Sequence, residues 1–433
     1  MTTRNKLFVF LMDALTSSDL ELMRELPNFR WMFEHGSYVK HLEPIYPSFT
    51  YPCHCTIITG NTVKHHGVPH NVILEPENPD APWYNQRADV KCPTIFDYAK
   101  KAGYLTCSLS WPVSGKADID LNMPMIVPIH YIGDDPGQFL WGNASDELME
   151  KYYWKYGRFL MGKDRSLDLY TMALAPDIIR DYHQPDVMFV KMCDLDTVRH
   201  IHGVYSKEAE EQLQKHDKEF GVLLECIRRY GDFEHTNFVI LGDHGQQDIT
   251  MNLNVNVLLR DAGFIRCDDD GKMIDYDAYC HSVSMSAWIQ LKDPDDKQMH
   301  DKVYDFLKSL KEDPQYNIGY LYTKEEADEL FGLTGPLDFV IEGKEPMSFS
   351  STLAGRDAFE KYLRPDQHSS VASHGHLPWR DETTTFLACG PDVARNVVIE
   401  RSSMLNVAPT MAAMLGLEMK DIDGETIKEF IHR

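Results

Sequence analysis

Short apolar runs that end on acidic residues form the strongest pattern along the chain. Three runs have this form: Lys6–Met12, Val187–Met192 and Phe238–Leu241. Each has the length and character that are typical of a strand buried on both faces of a parallel sheet. Asp13, Asp196 and Asp243 follow these runs. Because ligands of open α/β sheets bind beyond the carboxyl ends of the strands, the pattern predicts an α/β fold with its functional groups at that end.

Helical periodicity fills much of the chain between these runs. Glu208–Arg229 carries apolar side chains at helical spacing, and Phe96–Ala102 predicts a shorter helix that leads into a strand, Tyr104–Ser108. Near the C-terminus, Thr384–Ala388 predicts a strand and Val407–Leu415 a helix. This alternation predicts a mostly parallel central sheet with helices on both faces.

The pattern changes between about residues 263 and 367. There Ser282–Leu291 alternates as one antiparallel strand would, Asp301–Lys311 is an amphipathic helix, and Leu337–Glu342 is a short strand. We therefore predict a core formed by residues 1–260 plus 370–433, and an α+β insertion or cap formed by residues 261–369.

Carboxylates and imidazoles recur where the predicted strands end. Six of them are candidate metal ligands: Asp13, Asp196, His200, Asp243, His244 and His374. Each signal is common by chance, including the D-x-x-x-H of Asp196 and His200, but the ordered set is specific. Oxygen and nitrogen ligands suit zinc. Six ligands and a hydroxyl would serve two ions, which in-line displacement at phosphorus often uses.

The candidate hydroxyl is that of Thr50, which stands shortly before Pro52. Proline is favoured at the first helical position, so we predict a helix whose opening turns are Cys53–Ile58. The N-terminus of a helix carries partial positive charge, and phosphate binds there. Taken alone, Thr50 would be interpreted as an N-cap. Beside six candidate metal ligands, it is interpreted as a nucleophile.

Composition narrows the choice of partner. The 433 residues carry a formal net charge of −24, which argues against broad electrostatic binding to nucleic acid or to an anionic membrane. Bound metal would instead reverse the local field for an anionic substrate. The nine cysteines show no framework spacing and are expected to be reduced. No apolar stretch has the length of a membrane span, no signal-peptide pattern opens the sequence, and we expect a cytoplasmic protein.

The segment P-S-F-T-Y-P-C-H-C-T-I-I-T-G, which ends at Gly60, resembles a known motif. It is similar to P-T-x-T-F-P-N-x-x-T-x-x-T-G of the nucleotide pyrophosphatase/phosphodiesterase family of the alkaline phosphatase superfamily. Tyr51 replaces the family's phenylalanine, and Cys53 replaces its asparagine. The family's D-x-x-G-H-x-x-G, D-H-G and late H-G elements resemble the segments that begin at Asp196, Asp243 and His374. The resemblance extends from residue 6 to about residue 418 but covers the insertion poorly.

This resemblance implies an alkaline-phosphatase-like core and assigns the candidate ligands to two zinc ions. One ion would take Asp13, Asp243, His244 and the Thr50 oxygen, and the other Asp196, His200 and His374. Manganese or iron would accept the same ligands. Thr50 would attack phosphorus to give a phospho-threonine intermediate. Asn71 would donate to a non-bridging oxygen, and Tyr51 would line the pocket or simply pack at the start of the helix.

The resemblance also implies a small-molecule phosphodiester or nucleotide pyrophosphate as substrate. Monoesterases of the superfamily use a Lys/Arg pair in the insertion, and the sequence shows no such pair. A phosphonate hydrolase, a phosphomonoesterase or a phosphomutase would use the same metal site and stay open as alternatives. A catalytically inactive binding protein is a further alternative. Neither a nucleic acid duplex nor a membrane is expected as a partner, and the oligomeric state stays open.

Overall fold

The computed structural model describes residues 4–78, 81–127, 137–162, 165–353, 358–361, 370–380 and 382–432. The strands in these residues are β1 (Lys6–Met12), β2 (Gly36–Glu43), β3 (Thr106–Leu109), β4 (Leu121–Met123), β5 (Val187–Met192), β6 (Thr236–Leu241), β7 (Gln247–Asp248), β8 (Met251–Asn254), β9 (Ile265–Cys267), β10 (Met273–Tyr276), β11 (Ala278–Val283), β12 (Ser286–Leu291), β13 (Ile318–Thr323), β14 (Phe339–Gly343), β15 (Ser348–Ser350), β16 (Phe359–Lys361), β17 (Ala372–Ser373), β18 (Thr384–Cys389) and β19 (Val398–Ser403).

A central sheet of eight strands organises the fold, in the order β19-β2-β18-β6-β1-β5-β3-β4. Neighbouring strands are parallel except where β18 pairs with β2 and with β6. The expected mostly parallel α/β sheet is therefore confirmed. The strands β6, β1 and β5 are adjacent at its centre, so the chain segments that follow them leave the sheet side by side.

Helices cover both faces of this sheet. The longer α-helices are Leu20–Glu25, Pro27–His35, Thr50–Thr59, Ile95–Lys101, Leu167–Asp181, Asp194–His202, Lys207–Tyr230, Val255–Asp261, Lys297–Glu312, Lys324–Phe331 and Val407–Met414, and the short ones are Val63–His66, Gly137–Leu140, Asp146–Leu148 and Trp154–Tyr156. None of the helices in the described residues has the length and apolar character that a membrane crossing requires.

The alternation of side chains along β1 divides the core into two layers. Leu7, Val9 and Leu11 pack on the face that includes residues of the helix Thr50–Thr59. Phe8, Phe10 and Met12 pack on the other face, against the helices that begin at residues 167 and 207. All six side chains are completely or almost completely buried, as expected for a central strand of a sheet covered on both sides.

The segment between the main sheet strands β6 and β18 forms a separate antiparallel sheet, in the order β11-β12-β14-β13. The prediction of one strand over Ser282–Leu291 is wrong, because β11 and β12 form a hairpin that turns at Ser284 and Met285. Ser284 adopts a positive φ of 60°, which reverses the chain without interrupting the polar/apolar alternation. The boundaries of the insertion stay a prediction.

A buried carboxyl joins this second sheet to the segment that contains His374. Glu342 of β14 accepts hydrogen bonds from the Arg380 guanidinium at 2.5 Å and from the Leu377 backbone N–H at 2.9 Å. Burial raises the pKa of Glu342 to about 7, and the attraction of Arg380 offsets only part of that effect. The position of the His374 segment therefore depends on a carboxyl whose ionisation is unfavourable.

This shift predicts a pH-dependent stability. The folded state holds the proton of Glu342 more tightly than the unfolded state does. The stabilisation that this protonated carboxyl gives is therefore fully present below the ordinary pKa of 4.5 and is lost as the pH rises through about 7. The free energy of unfolding of the wild type, measured relative to Glu342→Gln, should fall by about 2 kcal/mol between about pH 5.5 and 7.5. Urea denaturation with a chelator present measures this difference, and parallel pH profiles of the two proteins would contradict it.

Candidate metal centre and nucleophile

Three adjacent strands bring the candidate carboxylates together. Asp13 follows β1 directly, Asp243 lies just beyond β6, and Asp196 is in the helix Asp194–His202 that follows β5. The backbone N–H of Ala14 donates to Asp243 Oδ1 at 3.0 Å and joins the first two segments. This is the end of the sheet at which the sequence predicts the functional groups.

One set of three side chains, the first ligand group, consists of Asp13, Asp243 and His244, which are all buried. Their ligand atoms lie within 4.8 Å of one another. His244 Nε2 is 3.3 Å from Asp13 Oδ1 and 3.3 Å from Asp243 Oδ2. These two carboxylate oxygens are buried and have no hydrogen-bond partner among the described residues. Buried carboxylate oxygens without partners are energetically unfavourable, and a bound cation would compensate their charge.

A second ligand group consists of Asp196, His200 and His374, whose ligand atoms also lie within 4.8 Å of one another. Asp196 and His200 are one turn apart in the same helix, and His200 Nε2 is 3.3 Å from Asp196 Oδ1. The ring of His374 stacks on that of His244, with ring centroids 3.8 Å apart. This contact places the two ligand groups side by side.

Hydrogen bonds orient the imidazoles of both ligand groups. His200 Nδ1 donates to the Ala372 carbonyl at 2.7 Å, and His374 Nδ1 donates to the Ser48 carbonyl at 3.0 Å. His244 Nδ1 lies 3.2 Å from the Gly245 carbonyl. A ring that donates from Nδ1 to a carbonyl can present the lone pair of Nε2, and this is the usual support of a metal-binding histidine.

The charges of these groups favour bound cations. Burial raises the pKa of Asp243 well above its ordinary range, and the Asp13 carboxylate raises it further. Burial lowers the pKa of His374 and that of His244, so both rings are neutral. Although burial opposes the charge on His200, the Asp196 carboxylate raises the pKa of that ring to about 9. The carboxylates and the neutral rings of His244 and His374 are donors that zinc accepts, and zinc in the second ligand group would displace the proton of His200.

Thr50 lies against the first ligand group. Its Oγ1 is 3.2 Å from His244 Nε2, and the residue is 8% exposed. The helix begins at Thr50 and has Phe49 at its N-cap, so the predicted start is wrong by about two residues. Pro52 is the third helical residue, where a missing N–H still costs no intrahelical hydrogen bond. The hydroxyl of Thr50 is thus presented by the first turn of a buried helix and does not cap it.

Asn71 and Tyr51 contact each other at the start of this helix. Asn71 Oδ1 accepts a hydrogen bond from the Tyr51 backbone N–H at 2.9 Å, which leaves the Asn71 Nδ2 amide as a donor. The Tyr51 side chain is 0% exposed, and its ring packs 5.2 Å from that of Trp83. The buried ring of Tyr51 packs in the interior, and a contact between Tyr51 and substrate stays a prediction.

Three polar residues that the sequence analysis did not single out surround the ligand groups. Lys191 Nζ donates to Asp13 Oδ2 at 2.6 Å. His54 Nδ1 donates to the Thr50 carbonyl at 2.7 Å and lies 3.3 Å from Asp243 Oδ2. Gln246 Nε2 donates to Asp196 Oδ1 at 2.8 Å. A lysine inside the apolar run of β5 is the one sequence signal that could have drawn attention to this layer of contacts.

A family comparison agrees with this geometry. A profile of the type I phosphodiesterase / nucleotide pyrophosphatase family matches residues 7–348. The chain therefore belongs to this family. It is a hydrolase of the phosphodiesterase/nucleotide pyrophosphatase type, and metal dependence is a property of the family.

Individual relatives are distant in sequence but similar over most of the chain. Ectonucleotide pyrophosphatase/phosphodiesterase family member 7 of Rattus norvegicus is 22% identical over 423 residues, which cover 92% of this chain and 81% of the relative. Venom phosphodiesterase of Macrovipera lebetinus is 23% identical over 253 residues, which cover 58% of this chain and 26% of the relative. The structure of murine ectonucleotide pyrophosphatase / phosphodiesterase 5 superimposes on this chain with a TM-score of 0.68 and a sequence identity of 18%. The superposition covers 99% of this chain and 100% of the murine chain. An inactive variant of that murine protein has been solved in complex with AMP.

Proposed function

We propose that this protein hydrolyses small-molecule phosphodiesters or nucleotide pyrophosphates through a phospho-threonine intermediate at Thr50, with two zinc ions in the two ligand groups. The observation that carries the proposal is the 3.2 Å separation of Thr50 Oγ1 and His244 Nε2. It places a buried hydroxyl at the border of a cluster of carboxylates and imidazoles. Such a cluster has no evident use in packing, because its buried oxygens lack partners among the described residues.

The donor sets support the choice of zinc. Asp13, Asp243 and His244 would hold one ion together with the Thr50 oxygen, and the second ligand group would hold the other. When bound, the ions supply Lewis-acid stabilisation of negative charge on the attacking and leaving oxygens. The ligand atoms are hard oxygens and imidazole nitrogens, so manganese or iron would occupy the same positions if supplied instead.

The hydroxyl of Thr50 takes part in both covalent steps. Thr50 Oγ1 forms a bond to phosphorus as the bond to the leaving alcohol or phosphate breaks, and the proton of the hydroxyl is transferred to the leaving oxygen. Water then attacks the threonyl phosphodiester, the bond between phosphorus and Oγ1 breaks, and Oγ1 takes up one proton of that water. His54 holds the carbonyl of Thr50 and thereby the first turn of the helix that presents the nucleophile.

Asn71 is expected to stabilise the negative charge that develops on a non-bridging oxygen. Asn71→Ala should lower kcat by about 10²–10³-fold, because one donor to the transition state is lost. Asn71→Asp retains an acceptor for the Tyr51 N–H but replaces the donor by a charge, and it should lower kcat at least as much. Steady-state kinetics with a nitrophenyl phosphodiester measures both variants. Full activity in Asn71→Asp would show that Asn71 acts only through the Tyr51 backbone.

The surroundings of the site favour a diester over a monoester. A cleft of about 500 Å³ lies next to the ligand groups, and its lining includes Phe49, His70 and Ser373. None of the described residues that line it is a lysine or an arginine. A monoester dianion would need a cation for its additional charge, whereas a diester monoanion would not. The AMP complex of the murine relative supports a nucleotide as one part of the substrate.

A comparison of three substrates on the zinc-loaded protein tests this choice. Bis(p-nitrophenyl) phosphate and a thymidine 5′-monophosphate nitrophenyl ester are expected to exceed p-nitrophenyl phosphate in kcat/KM by at least about tenfold, a difference of roughly 1.4 kcal/mol in transition-state binding. A preference for the thymidine ester over the bis-aryl diester would support a nucleotide substrate. A preference for the monoester would keep the fold and the ligand groups but contradict the proposed substrate class.

A further inference from the structure

Lys191 is a buried cation inside an apolar strand. Leu11 of β1 and Lys191 of β5 are register partners, so the lysine lies beside the strand that leads to Asp13. Its neighbours Val187 and Phe189 point to the same face of the sheet and belong to the core layer there. Lys191 is 1% exposed. A lysine is almost never buried to this extent unless a partner compensates its charge.

The partner of Lys191 is a member of the first ligand group. Lys191 Nζ donates to Asp13 Oδ2 at 2.6 Å and to Cys193 Sγ at 3.0 Å. The other oxygen, Asp13 Oδ1, lies 3.3 Å from His244 Nε2 and has no hydrogen-bond partner among the described residues. One oxygen of this carboxylate thus pairs with the Lys191 ammonium, and the other faces His244 of the first ligand group.

The contact between Lys191 and Asp13 determines the charge balance of the first ligand group. Asp13 and Asp243 are both buried and face the imidazoles of His244 and His54. Within the part of the chain that the structure describes, Lys191 is the only lysine or arginine that forms an ion pair with either carboxylate. Without it, no lysine or arginine of the described residues would pair with the buried Asp13 carboxylate in the metal-free protein.

We propose that Lys191 is a positioning residue of the first ligand group, which fixes Asp13 as a ligand through one oxygen and compensates the buried Asp13 carboxylate until a metal ion binds. The metal-bound half of this inference rests on the proposed function. Removal of the ammonium leaves Asp13 without a partner in the metal-free protein, and a bound metal then supplies the missing positive charge. The loss of Lys191 should therefore destabilise the metal-free protein more than the zinc-loaded protein.

Thermal unfolding of the full chain, with chelator or with zinc, tests this inference. Lys191→Met should lower the Tm of the metal-free protein by at least about 5 °C. Zinc should restore a large part of that loss, so that the zinc-induced rise in Tm exceeds the wild-type rise. Lys6→Met is the matched control, because Lys6 pairs with Asp186 at 2.7 Å at the opposite end of the same two strands. Its loss of Tm should be the same with and without zinc.

A second comparison covers the case in which Lys191→Met does not fold. Asp13→Asn/Lys191→Met removes both charges, and its metal-free form should be closer to the wild type in Tm than Asp13→Asn is. Equal losses with and without zinc in Lys191→Met, or a double variant no more stable than Asp13→Asn, would overturn the inference. If the wild type itself gains no stability from zinc, the proposed metal site fails instead, and the wild-type control separates that result from a failure of the inference.

Discussion

Thr50→Ala is expected to lower kcat/KM for a phosphodiester by at least about 10³-fold, because the nucleophile of the covalent step is lost. The zinc content should not change, since Asp13, Asp243 and His244 would still hold the first ion. Measurement requires steady-state kinetics together with metal analysis of the purified variant. Thr50→Ser should retain part of the activity because it keeps a hydroxyl at the same atom.

Thr59→Ala provides the matched control for this prediction. Thr59 is a buried threonine at the other end of the same helix, and its hydroxyl donates to the Cys55 carbonyl and accepts from the Asn61 backbone N–H. The control should cost some stability but leave kcat within about twofold of the wild type. Turnover at the wild-type level in Thr50→Ala would remove Thr50 from the mechanism. Loss of zinc in that variant would instead make Thr50 mainly a metal ligand.

His374→Ala is expected to remove about one zinc ion per chain and to lower kcat by at least about 10²-fold, because the second ligand group loses one of its three members. The ring of His374 also stacks on that of His244, so the remaining ion should bind with a changed affinity. Atomic emission analysis of the dialysed protein measures the stoichiometry, and the same preparation supplies the kinetics.

His376→Ala is the matched control in the same segment. His376 is buried, as His374 is, but its Nε2 lies 3.3 Å from the Glu382 carbonyl and it belongs to neither ligand group. This variant should keep two zinc ions and most of its activity. Two ions bound to His374→Ala would contradict the assignment of the second ligand group, whereas one ion in both variants would indicate that the whole segment, not one ring, determines binding.

The sequence predicts the centre of the fold well because the central strands carry a strong local signal. Strands β1 and β5 begin and end where the apolar runs predict. A strand that is buried on both faces is apolar along almost its whole length, so the ends of the apolar run mark the ends of the strand. The pattern predicts one strand over Ser282–Leu291, where the structure has the end of β11, a turn and β12, because the two-residue turn at Ser284 continues the alternation. A turn set by a positive φ at a serine leaves little trace in a hydrophobic pattern.

The candidate ligands were accessible to sequence analysis because strand ends of adjacent parallel strands meet in space. The contacts around them were not, because they join distant parts of the chain. Lys191 and Asp13 are 178 positions apart, and a single lysine does not change the strand that the run predicts. The buried state of Tyr51 depends on Trp83 and other residues outside the motif. The cytoplasmic location and the limits of the insertion stay predictions.

The stereochemistry of hydrolysis at phosphorus tests the central claim most directly. A phosphodiester substrate that is chiral at phosphorus, made with sulfur in one non-bridging position, is hydrolysed in ¹⁸O-labelled water, and the configuration of the product is determined. Attack by Thr50 followed by attack of water comprises two in-line displacements, so the account predicts net retention of configuration. Net inversion would mean that water attacks the substrate directly, and it would contradict a phospho-threonine intermediate.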